Sequence, residues 1–183
     1  MSDSLDPSAV LHFWFEEIEA GQWWRADPAF DQVVRERFEA VHRAAARGEL
    51  AAWRSRPDGR LAEVIVLDQF SRNMYRGTAL AFAFDAVALV LAQEAVAGGH
   101  DAALPPEQRV FLYLPYMHSE SAFIHEVALG LFETLGLPSN LDFELRHKAI
   151  IDRFGRYPHR NAILGRPSTA EELEFLEMPG SSF

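Results

Sequence analysis

Gly59-Arg60-Leu61-Ala62-Glu63-Val64-Ile65-Val66-Leu67-Asp68-Gln69-Phe70-Ser71-Arg72-Asn73 is where a strand competes most strongly with a helix in this chain. Val64 to Leu67 is β-branched enough for a strand. Leu61, Val64, Ile65 and Asp68 nevertheless recur at three- and four-residue spacing, the period of a helix face. The flanks follow the same period, so a helix is predicted from about Gly59 to Asn73. With that reading no strand remains, and the fold class is all-α.

Working outward, helix punctuation sets the other boundaries. Arg56-Pro57-Asp58-Gly59 reads as a turn, preceded by a short helical turn over Leu50 to Trp53. Asp27-Pro28 places an N-cap acid before a proline, opening a helix that carries Phe30, Val33, Val34, Phe38, Val41 and Ala45 and ends near Gly48. Asp6-Pro7 opens a first helix that should run to Ala20 and stop at Gly21. On the other side, Thr78 is expected to cap a helix from Ala79 to Ala97, closed by Gly98-Gly99. Pro105-Pro106-Glu107 opens the next, which Pro115 should break or kink close to Tyr116. Further helices are predicted from Ser121 to Leu135, stopped by Gly136, and from the residue after Asn140 to Gly155. The last carries overlapping capping boxes, Ser168 with Glu171 and Thr169 with Glu172, and runs to Glu177.

About eight helices with short connections should pack as antiparallel hairpins in one domain over residues 1–183, with a short flexible tail at 179–183. Helix starts near 28, 60, 79, 106, 121, 141 and 169 pair loosely with a period in the thirties, but no repeat shares a residue signature.

The 183 residues carry a net charge of -10, which opposes nucleic-acid binding. There is no cysteine, so disulfides, thiolate metal sites and cysteine nucleophiles are excluded together. Met1 to Pro7 is acidic and shows no signal peptide, and Asp85, Gln93 and Glu94 interrupt the apolar run from Ala79 to Ala97, arguing against a membrane span. A cytoplasmic protein is expected. No oligomeric state can be read.

Polar chemistry concentrates in three places. Asp68 sits in an apolar stripe with Arg72 four residues on, so the two form either a structural ion pair or, with Gln69, Asn73 and Arg76, part of a ligand site. His118-Ser119-Glu120 follows the Pro115 break, where His118 and Glu120 could instead cap the next helix and pair with an arginine. Arg153-Phe154-Gly155-Arg156-Tyr157-Pro158-His159-Arg160-Asn161 is the densest. His159 between Arg156 and Arg160 should have a depressed pKa and stay neutral. His147 falls inside the apolar face of Phe143, Ile150, Ile151 and Phe154, as a hydrogen-bonded core residue or a catalyst. From Arg146 to Arg166 there are six basic side chains and two histidines against Asp152 alone. Either they bind an anion, or Asp68, Glu120, Glu171 and Glu172 neutralise them internally. Spacing matches no metal motif: His125-Glu126 begins like a zinc-protease helix, but Leu129 occupies the second ligand position. No cofactor or metal is expected. Trp14, Trp23, Trp24 and Trp53 are expected to pack in the core or at an interface, though Trp23-Trp24 after Gly21 could line a groove.

These segments resemble a bacterial family catalogued as domain of unknown function 924. The likeness rests on His12-Phe13-Trp14-Phe15, Leu67 to Asn73, Ala81-Phe82-Ala83-Phe84-Asp85, Phe111 to Glu120, Arg153 to Asn161 and Leu164-Gly165-Arg166. It implies a tetratricopeptide-like right-handed stack of helical hairpins and brings no established activity. Ser121 to His125 is more apolar than the resemblance would suggest.

Three functions follow from the residues. In the first, a cavity formed by Asp68, Gln69, Arg72, Asn73, Arg76, His118, Glu120, His147, Arg153, Arg156, His159, Arg160 and Asn161 binds an anionic small molecule or acidic peptide. The alternative is a small hydrolase or lyase using His118, Glu120, His147 or His159 on an anionic substrate. In the third, the cluster is an internal scaffold.

Overall fold

The computed structural model describes residues 6–182. Among them every regular element is a helix. Helix α1 (Pro7–His12) is capped by the Asp6 carboxylate, which accepts from Ser8 N–H at 3.0 Å. It continues as a π turn, Phe13–Glu17, and ends there rather than at Ala20, because Ile18 takes up extended backbone. A separate 3-10 turn, Ala20–Trp24, then starts, reciprocally capped by Glu19 and Gln22. The Trp23 indole donates to the Trp14 carbonyl at 2.9 Å, tying this turn to α1.

Helix α2 (Pro28–Ala46) starts at the expected Asp27 cap. Arg56-Pro57-Asp58-Gly59 is not a turn. Pro57 occupies the first position of α3 (Pro57–Ile65), where its missing N–H costs nothing. A 3-10 turn, Ala51–Ser55, precedes it. Helix α3 runs on through a second π turn, Val66–Phe70, into α4 (Ser71–Met74), one rod where a single helix was predicted.

The helix expected over Ala79 to Ala97 divides into a 3-10 turn, Ala79–Phe82, and α5 (Asp85–Ala97). Thr78 does not cap it; its hydroxyl donates back to the Tyr75 carbonyl at 2.8 Å. By length and composition the Ala79–Ala97 stretch, mean hydropathy 1.8, would suffice to cross a membrane. Here it turns Ala88, Leu91, Ala92 and Ala95 into the core and keeps Asp85 in ion pairs.

Helix α6 (Pro106–Met117) runs through Pro115 and ends two residues later. Helix α7 (Ala122–Leu135) stops at Gly136. Helix α8 (Pro138–Phe154) begins three residues earlier than predicted, Pro138 taking the first position, and Gly155 ends it with φ 67°. In α9 (Ala170–Leu176) the Thr169–Glu172 box forms. The Ser168–Glu171 box does not: Glu171 pairs with Arg153, and Ser168 accepts from Asn161.

The α3–α4 rod is the axis of the molecule. Helices α1, α5 and α6 pack on α3, and α2 packs on α4 and the π turn. Beyond it α5, α6, α7 and α8 each pack on the next. Residues 61–70 are buried without exception, which explains the strand-like run at Val64 to Leu67: a helix surrounded on all sides is apolar all round. Its one-sided stripe vanishes for the same reason. Phe13, Trp14, Phe38 and Phe70 form the aromatic centre, with Trp14 and Phe70 centroids 5.5 Å apart.

Candidate functional site

The stretch 61–70, buried all round, must satisfy the two carboxylates it carries. Glu63 takes a bidentate pair from Arg54 at 2.7 Å per bond. Asp68, fully buried on the π turn, accepts from Arg72 Nη1 at 3.0 Å and His118 Nδ1 at 2.7 Å on Oδ1, and from Gln69 Nε2 at 2.6 Å on Oδ2. Burial works against ionisation there, but Arg72 and His118 outweigh it and hold the carboxyl well below the ordinary carboxylate range. Arg72 reaches further, donating to both Asp85 oxygens at 3.0 Å. Asp85 Oδ2 also accepts from Arg160 Nη1 at 3.2 Å. Thus the start of α5, the C-terminus of α6 and the turn after α8 all lean on one rod.

These groups border a cavity of ≈ 600 Å³. Gln69, Arg72, Asn73, Arg76, His118, His147, His159 and Arg160 line it, so segments near residues 70, 118 and 159 meet in one hollow. Asp68 lies behind the wall, holding His118 and Arg72. Glu120, Arg153, Arg156 and Asn161 do not line it. Arg153 is paired with Glu171, and Arg156 with Glu172 and the Pro167 carbonyl. Glu120 holds Arg166 and accepts from Tyr157 N–H, with no part in capping α7. Buried Asn161 bridges Arg166 and Ser168.

The six basic residues between Arg146 and Arg166 are therefore neutralised one by one, by Asp142, Glu126 with Asp152, Glu171, Glu172, Asp85 and Glu120. Arg160 is the weakest of these matches. Its side chain is 8 % exposed and lies between the rings of Phe82 and Tyr157, 4.5 and 4.7 Å from their centroids. Its hydrogen bonding consists of the one 3.2 Å bond to Asp85, and its buried Nε has no partner. Burial and the neighbouring Arg72 pull its pKa down.

The three histidines of the cavity are neutral. Burial takes His159 down to about 4, with Arg160 adding to it; Arg156 has no hand in this. Burial likewise takes His147 to about 3, with His118 and Arg160 contributing. His147 Nδ1 lies 2.7 Å from the Phe143 carbonyl, which can only accept, so Nδ1 carries the proton. His118 is lowered by burial and Arg72 against the pull of Asp68. Among the described residues no group of three or more His, Asp or Glu is placed to hold a metal ion.

The other walls are apolar: Trp23, Trp24, Phe82, Leu114, Met117, Phe143, Tyr157 and Ile163. Trp23, Trp24, Asn140 and Phe143 also line a shallower recess of ≈ 180 Å³ that includes Phe111 and Leu137. Trp24, 60 % exposed, thus stands between the two. Trp23 and Trp24 thus line a groove rather than pack in the core, while Asp85, Phe82 and Tyr157 join the site without a place among the expected residues. The Asp85 signal was available, as an acid at a helix start facing an arginine-rich chain.

Residues 10–180 match the family model described as bacterial protein of unknown function (DUF924). A solved structure of a protein of unknown function from Agrobacterium tumefaciens is similar over 93% of this chain and 96% of that one, at 41% identity and a TM-score of 0.89. No curated protein matches the chain.

Proposed function

The chain belongs to the DUF924 family of bacterial proteins of unknown function, and for this member we propose that the cavity binds a small organic anion with an apolar body. What supports the reading is Arg160, a guanidinium enclosed by two aromatic rings with one long hydrogen bond to its name. A buried cation in that state gains more from an arriving carboxylate than a saturated one does. Four arginines line the cavity, Arg25, Arg72, Arg76 and Arg160. Three carboxylates answer them: Asp31 at Arg76, Asp68 at Arg72, and Asp85 shared by Arg72 and Arg160. The balance favours one further negative charge. A volume of ≈ 600 Å³ suits a small molecule better than a peptide, and the tryptophan and phenylalanine walls suit an apolar body. This reading takes the protein as soluble and cytoplasmic.

Calorimetric titration with benzoate, glutarate and the neutral isostere benzamide tests it. Benzoate or glutarate should bind while benzamide does not. Arg160→Met, which keeps the stacking between Phe82 and Tyr157, should weaken binding by on the order of 30-fold or more. Equal affinity for benzoate and benzamide, or an unchanged affinity in Arg160→Met, would overturn the reading.

A further inference from the structure

Resting on the reading that the cavity takes an organic anion, we propose that His118 is a general base that hydrolyses an ester bond of that ligand, with Asp68 as its positioning residue. The Asp68 carboxylate is fully buried and accepts from three side chains, so the His118 nitrogen 2.7 Å away must be the one that donates. That fixes the tautomer. Nδ1 carries the proton, Nε2 carries the lone pair, and the ring lines the cavity. Gln69 and Arg72 lock the carboxylate in turn, so the imidazole is aimed by a shell that itself cannot rotate. A neutral, oriented imidazole bordering a hollow beside a cation is the arrangement a general base needs. The lowered pKa of His118 keeps it unprotonated near neutrality.

The cavity walls indicate water as the nucleophile. They hold no cysteine or lysine, and their hydroxyls are Tyr157, which donates to the Met117 carbonyl, and the exposed Ser182. In the proposed step His118 Nε2 accepts a proton from water as the water oxygen bonds to the acyl carbon. The tetrahedral oxyanion collapses, the acyl carbon–oxygen bond breaks, and the imidazolium returns the proton to the departing alkoxide. One water is consumed, and a carboxylic acid and an alcohol are released. The substrate class is an ester that also carries a free carboxylate for Arg160 and an apolar portion for the Trp24–Phe143 wall.

Mono-4-nitrophenyl glutarate serves as probe, with 4-nitrophenyl acetate as the uncharged comparison. The wild-type protein should hydrolyse the glutarate ester with the higher kcat/KM and a normal solvent deuterium isotope effect. Its rate should fall as pH drops through a single ionisation below 6.5. His118→Ala should lose on the order of 100-fold in kcat. If His118→Ala does not fold, His118→Asn, whose amide can still donate to Asp68, carries the test: it should lose as much, and full activity in it overturns the assignment. Glutarate binding without ester hydrolysis above that of free imidazole overturns the base assignment and leaves the anion reading standing. Hydrolysis of both esters with no competition from glutarate overturns the substrate class.

Discussion

Glu120 holds Arg166 with both carboxylate oxygens, Oε2 accepting from Nη1 at 2.6 Å and Oε1 from Nη2 at 2.9 Å. The same Oε1 accepts from Tyr157 N–H at 2.8 Å. One side chain between α6 and α7 thereby fixes the segment that presents His159 and Arg160. Burial pushes the Glu120 carboxyl up, but Arg166 and the Tyr157 amide more than offset this, and its pKa is lowered from 4.5. Glu120→Ala strands a half-buried guanidinium and an amide, and should cost about 2 kcal/mol, discounted for the partial exposure of the pair. Chemical denaturation measures this. Because the folded pKa is depressed, the contribution is present above pH 4.5 and fades as pH falls through the folded value. Wild type and Glu120→Gln should therefore converge in stability in strong acid.

Three imidazoles, His42 and His147 buried and His159 partly so, impose the opposite demand on protons. Burial lowers His42 to about 4, His147 to about 3 and His159 to about 4 from an ordinary 6.5. The unfolded chain takes up protons below 6.5 that the folded protein refuses, so stability is full above that pH and declines toward 4. Each histidine contributes a slope approaching about 1.4 kcal/mol per pH unit. Urea titrations of His159→Gln between pH 6.5 and 4.5 should show a shallower decline than wild type by that amount. Parallel curves would refute the assignment of His159 as neutral.

Asp85 is shared by two guanidiniums, and its removal separates stability from binding. Asp85→Asn should destabilise by roughly 3 kcal/mol, since Arg72 and Arg160 lose their common partner. It should also raise benzoate affinity by about tenfold, because the cavity becomes more positive. Thermal melts and calorimetry read the two effects on one variant. A loss of affinity would argue that Asp85 itself contacts the ligand.

Gly59 packs face-on against the preceding turn. A Cβ there would lie 2.1 Å from the Trp53 carbonyl oxygen, a backbone atom that cannot swing aside. Gly59→Ala should thus cost about 3 kcal/mol despite the usual helix preference for alanine. A melting temperature equal to wild type would show that the Ala51–Ser55 turn can retreat.

Much of this architecture is legible in the sequence because its helix ends use strong local chemistry. Asp6, Asp27, Thr169 with Glu172, Gly136 and Gly155 act as their residue types suggest. Failures cluster where tertiary partners override local signals. The Ala79 to Ala97 helix is interrupted ahead of Asp85, which two distant arginines engage, and Ser168 serves Asn161 instead of its own helix. For the cavity, residue types pointed to the right neighbourhoods, but which arginine keeps spare donors depends on pairings across 16 to 75 positions. Arg156 and Arg160 look alike in a string of letters. Only the reach of Glu172 separates them.

The π turn at Val66–Phe70 acts as a phase shifter. Its wider loop makes room for one residue more than a regular helix would hold in the same length, so everything after it is rotated relative to where an unbroken α-helix of the same residues would put it. Wound as a plain α-helix with every residue kept, the same segment would turn Arg72, Asn73 and Arg76 by about 100°. The core-facing half of the rod would keep its place while its polar half pointed elsewhere. How one turn is wound thus sets whether the molecule has a hollow with chemistry in it or merely a folded shell.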